Sequence, residues 1–191
     1  MPEPDPKKTR AFESSEDLGG WLEANHAVES ELWVKVFKKQ SGVPSVTWDD
    51  IVTQVLCWGW IDGIRKSLDD EAYLQRITPR TARSAWSKRN TEHVERLTAE
   101  GRMREPGLAQ VRAAKADGRW DVAYAPPSEA EVPADFVAAL DGRPKAKRFF
   151  ETLPKSSRFT ITYGLTTAKR PQTRQKRFER FMEMLDREER P

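Results

Sequence analysis

Two groups of residues have the types and spacing for binding chemistry. The first lies between Cys57 and Asn90, CWGWIDGIRKSLDDEAYLQRITPRTARSAWSKRN, a stretch that holds three of the seven tryptophans. Trp58, Trp60 and Trp86 offer indole faces, and Asp62 and Arg80 add a carboxylate and a guanidinium. Such a set suits a flat or cationic small-molecule ligand, through stacking and cation–π contacts. Ser87, Lys88 and Asn90, with Ser84 just before them, stand at an expected helix start, where free N–H groups and the positive dipole end favour an anion. The same residues also fit a structural role. Indoles fill the space where a helix meets a sheet, Asp62 and Arg80 pair or satisfy backbone groups, and serines cap helices. Neither of the glycine-rich phosphate loops, GxGxxG or GxxxxGK[ST], occurs.

The second group is basic. Between Arg143 and Arg180 there are twelve Lys or Arg residues against only Glu151 and Glu179. Lys169, Arg170, Arg174 and Arg177 fall near one another at helical spacing around Pro171, with Lys176 and Arg180 close by. Cations in this arrangement can track a nucleic-acid phosphate backbone or another polyanion. An acidic lobe of the same chain can equally neutralise them. The chain as a whole carries only +3, so the residues outside this window are net acidic and the protein is electrically polarised. No recognisable nucleic-acid-reading motif accompanies the cations.

Nothing in the sequence assembles a catalytic set, and the reading favours a non-catalytic protein without a cofactor. Cys57 sits near an expected helix carboxyl end, where the dipole opposes a thiolate, and reads as a small buried apolar residue. His26 and His93 have no acid–base partner nearby, and two histidines with one cysteine make no zinc-ligand spacing.

These residues must be positioned by an α+β fold. Residues 1–13, with three prolines and no periodic pattern, read as a flexible leader. Ser14 and Asp17 cap a first helix carrying Leu18, Trp21 and Leu22. Glu31–Lys39 alternates as a strand. Thr47 and Asp50 cap a second helix with Ile51, Val52, Val55 and Leu56 inward, ending near Gly59. Ile64–Leu68 and Tyr73–Ile77 form a hairpin around an acidic loop, and the second strand ends at Pro79. Two helices follow, stopping at Gly101 and Gly118. Residues 14–124 thus make a small antiparallel sheet with flanking helices, 125–131 a linker, and 132–191 an all-helical basic domain.

CWGWIDG, TPR, SAWSKRN, the GRM and GL of residues 101–108, GRW at 118–120 and AKRPQTRQKR near the end occur in an order that resembles the YdeI/OmpD-associated proteins of bacteria. The resemblance runs from about Trp21 onward. It implies a YjbR/CyaY-like α+β fold in the first part and a helical domain in the second, and the family name suggests porin association, bacteriocin protection or an adaptor role in stress response. With 33% charged residues and a mean hydropathy of −0.77, the chain has no apolar run long enough to span a membrane, and MPEPDPKKTR lacks the apolar core of a signal peptide. The expectation is a cytoplasmic binding protein for an anionic partner, either nucleic acid or another polyanion. The alternative is a small-molecule pocket, in a binding protein or an enzyme, around Trp60, Asp62 and Arg80.

Overall fold

The computed structural model of the protein describes residues 2–126, 129–168 and 170–191. The chain forms two compact units. The first takes residues up to Ser84 together with Asn90–Asp121, and the second takes Ala85–Arg89 together with Val122–Pro191.

The first unit is built on a four-stranded sheet. Its strands are β1 (Thr9–Ala11), β2 (Leu32–Phe37), β3 (Trp60–Ser67) and β4 (Ala72–Pro79), in the spatial order β1-β2-β4-β3. β2, β4 and β3 run antiparallel, and β1 adds to the edge parallel to β2. That edge strand corrects the expectation of a flexible leader over residues 1–13. Three residues are too few to show alternation, and their partner strand lies beyond a whole helix. β3 likewise starts at Trp60 rather than at Ile64. A bulge between Asp62 and Arg65 shifts its register, so the two halves of the strand do not alternate in phase. Buried Gln75 donates to the bulge carbonyl of Gly63 at 2.9 Å.

α1 (Ser15–Asn25) and α2 (Trp48–Cys57) begin with the capping boxes expected of Ser14/Asp17 and Thr47/Asp50. Leu18 and Leu22 of α1, and Ile51 and Val55 of α2, pack with Leu32, Val34, Val36, Trp60, Tyr73 and Ile77 of the sheet into one core. Trp33, on the opposite face of β2, is also fully buried, so this central strand is covered on both sides. α3 (Lys88–Ala99) and α4 (Glu105–Ala116) follow the sheet in the chain.

The second unit contains α5 (Ala134–Asp141), α6 (Pro144–Thr152), α7 (Lys155–Thr166) and α8 (Pro171–Asp186). Its core joins Phe136 and Leu140 of α5, Ala146 of α6, Ile161 and Leu165 of α7, and Phe181, Met182 and Leu185 of α8. The architecture is therefore α+β, a sheet with flanking helices followed by carboxyl-terminal helices. Among the described residues, no helix is long and apolar enough to cross a membrane.

Candidate functional site

The stretch around Trp60 is a junction of elements. α2 ends at Cys57, Trp58 caps it, and Gly59 turns with φ +73° into β3. The left-handed turn is one reason for glycine there, and the second is crowding. A Cβ on Gly59 would lie 2.7 Å from the carbonyl oxygen of Pro106. From the other side, a Cβ on Gly107 would press into the carbonyl oxygens of Leu56 and Cys57. The amino end of α4 thus closes on the carboxyl end of α2, backbone against backbone, and the Arg104 N–H donates to the Cys57 carbonyl at 3.2 Å. Opposite dipole ends meet, which favours the packing.

The side chains expected to form a pocket are largely spent on this junction. Trp60 is 1% exposed, stands edge-on to Trp21 at 5.9 Å, and donates its indole N–H to the His26 carbonyl at 3.2 Å. Arg80 is 5% exposed; its backbone N–H donates to the Gly59 carbonyl at 3.0 Å and its Nε to the Trp60 carbonyl at 3.2 Å. Asp62 is half-buried and accepts from the Trp48 indole at 3.2 Å. Trp58 is partly buried beside the His26 ring, 4.9 Å away. Trp86, Ser87 and Lys88 belong to the second unit and Asn90 to the first. Tyr124 ties the second set in place: its N–H donates to the Trp86 carbonyl, and its carbonyl accepts from Lys88 N–H at 2.9 Å.

An open cleft of about 360 Å³ does exist in the first unit, bordered by Trp58, Gln54, Glu16, Glu23, Arg102 and Arg104. Of these, only Trp58 belongs to the expected set. Arg102 and Arg104 are legible in the sequence only as two cations in and beside the GRM triplet, without any hint of the indole they border. Cys57 also borders the cleft and is only 4% exposed. Burial pushes its thiol above the ordinary range, against the pull of Arg102 and Arg104. A neutral thiol is a poor nucleophile, so we expect Cys57 in the native protein to resist a disulfide-exchange reagent at neutral pH and to react at the ordinary rate in denaturant. Rapid native labelling would contradict that. The sign for stability follows from the same shift: the unfolded thiol ionises first, so this contribution is present at neutral pH and falls as pH rises through the alkaline range.

The basic helices are anchored to their own unit. Arg174 forms a two-pronged pair with Asp135 of α5, both bonds at 2.8 Å, and this guanidinium holds the Asp135 carboxyl below the usual carboxylate range. Arg177 donates to the Gly164 carbonyl at 2.7 Å. Arg143 pairs with Asp186, Lys147 with Asp141 at 2.8 Å, and Arg158 donates to the Glu151 carbonyl at 2.7 Å. Arg170 is exposed and precedes α8, whereas Lys169 lies outside the described residues. Among the described residues, Arg148, Lys155, Arg170, Lys176 and Arg180 are exposed and have no side-chain partner. The Asp135–Arg174 pair is itself partly exposed, 53% and 34% at the two side chains, so it contributes at most about 1 kcal/mol.

Helix starts differ along the chain. α1 and α2 carry acids in their first turns and capping side chains. α6, α7 and α8 carry neither, and Arg143, Lys155 and Arg170 stand at or beside their amino ends. Cations there oppose the dipole, at a cost of roughly 0.3–1 kcal/mol each.

The fold and these surfaces define a two-unit α+β protein with a basic helical second unit. The chain belongs to the family described as Domain of unknown function (DUF8412), whose model matches residues 10–110, more than half of its length. It also carries a domain matching the model Bacteriocin-protection, YdeI or OmpD-Associated, over residues 129–188. The YjbR/CyaY-like fold that the resemblance implied for the first part finds no support here, since that region matches only the domain-of-unknown-function model. No curated protein and no solved structure matches the chain.

Proposed function

We propose that the protein is a non-catalytic, cytoplasmic binding protein whose helical unit holds an anionic partner, nucleic acid being the form to test. The observation that carries this reading is the placement of cations at uncapped helix starts, beside five exposed Lys and Arg residues that have no internal partner among the described residues. Free N–H groups and unspent positive side chains are both satisfied by phosphate oxygens. Arg174 and Arg177, by contrast, are engaged within the unit, so the cations that α8 itself leaves unspent are Lys176 and Arg180, one helical turn apart and exposed. The single cysteine, a free thiol, suits a reducing compartment. The small-molecule reading around Trp60, Asp62 and Arg80 has less support, since Trp60 and Arg80 are core groups.

Binding to a fluorescent DNA duplex, titrated across salt, tests the proposal. Wild type should bind with a steep salt slope. Lys176→Glu with Arg180→Glu should weaken binding at low salt at least tenfold and reduce the log–log slope by roughly 2, about 0.9 for each phosphate no longer neutralised. If wild type fails to bind at low salt, or the double variant binds unchanged, the proposal is wrong.

A further inference from the structure

The second unit also has a cleft of opposite character, at the carboxyl end of α7. It encloses about 300 Å³ and is walled by Tyr124, Phe159 and Tyr163, with Thr162, Thr166 and Thr167 along the helix and Glu131 at its rim. The rings pack as a group: Tyr163 stands edge-on to Tyr124 at 4.9 Å and lies 5.9 Å from Phe159. Tyr163 remains 37% exposed.

Hydrogen bonding fixes what this wall can offer. Thr162 donates its hydroxyl to the Arg158 carbonyl at 3.2 Å, Thr166 to Thr162 at 2.8 Å, and Thr167 to Tyr163 at 2.5 Å. Each proton is committed one turn back along the helix, so toward a ligand these three hydroxyls present lone pairs only. Glu131 adds a carboxylate that has no partner among the described residues. The negative end of the α7 dipole lies at the same place. No Lys or Arg lines the cleft among the described residues, although the unit around it is strongly basic. Arg158, on the same helix, is turned toward α6: its guanidinium covers the Phe150 ring at 5.2 Å.

We propose that this cleft is a binding site for a small organic cation, an ammonium or guanidinium carried on a short apolar or aromatic body. Threonine lone pairs, one unspent carboxylate and exposed aromatic faces together favour a positively charged donor over a neutral or anionic ligand. The proposal is independent of the polyanion reading, which rests on other residues and predicts the opposite ligand charge.

The test is nuclear magnetic resonance titration of the full chain with phenethylammonium and with its neutral isostere 2-phenylethanol. The ammonium should shift the amides of Thr162, Thr166 and Thr167 saturably, with a dissociation constant on the order of a millimolar for a ligand of this size. The alcohol should bind at least tenfold more weakly. Glu131→Gln, an exposed change that leaves the core intact, should erase most of that preference, and Tyr163→Leu should weaken the ammonium several-fold. Equal binding of the two probes, an unaltered preference in Glu131→Gln, or no shift at these threonines would each overturn the proposal.

Discussion

Gly107→Ala should destabilise the protein by about 1–3 kcal/mol, although alanine is the better helix former at an ordinary helical position. Gly107 lies in the first turn of α4, and the added methyl would meet the carbonyl oxygens of Leu56 and Cys57. Neither obstacle is a side chain that can swing aside; both are backbone at the end of α2. Relief requires α4 to back away, which loosens the hydrogen bond from Arg104 to Cys57 and the fit against Gly59. Gly20→Ala is the control within the same unit. Gly20 lies inside α1 with no atom within 4 Å of the new methyl, so the exchange should stabilise by roughly 0.5–1 kcal/mol. Urea unfolding of the two variants should move in opposite directions. A neutral Gly107→Ala would mean that the junction is more yielding than its geometry implies.

Trp60→Ala should cost about 3–5 kcal/mol, a large fraction of the total stability of a domain. The indole lies among Leu18, Leu22, Val34, Ile51, Val55 and Ile77 and is almost wholly buried. Its removal leaves a cavity lined by four elements, α1, α2, β2 and β4, and orphans the His26 carbonyl. Trp60→Phe keeps most of the volume and should cost less than half as much. These two variants separate core from pocket: a ligand wall would lose binding and keep its unfolding midpoint, whereas a core residue shifts the midpoint first.

Local signals carried much of this fold. The capping pairs Ser14/Asp17 and Thr47/Asp50 lie three residues apart, and glycine at 59, 101 and 118 stops helices with positive φ as the pattern suggests. What stayed hidden depends on distant partners. Arg80 reads either as a pocket guanidinium or as a group that satisfies backbone, and its acceptor, the Trp60 carbonyl, lies twenty residues back, where no local pattern points to it. Arg174 reads as a phosphate ligand because its partner, Asp135, lies on another helix 39 positions away. The cation cleft was equally invisible, because it depends on where three threonine protons point. Residue type alone marks a hydroxyl as both donor and acceptor.

The assignment of Ala85–Arg89 to the helical unit has a consequence for synthesis. The partner of Ser87 in its parallel bridge is Tyr124. During translation, this segment leaves the ribosome with its partner still unmade, and at about 5–20 residues per second the wait lasts on the order of two to seven seconds. For that interval the Trp86 carbonyl waits for the Tyr124 N–H that donates to it in the finished protein. Chain elongation, rather than the intrinsic folding rate of the helices, then sets the earliest moment at which the second unit can close.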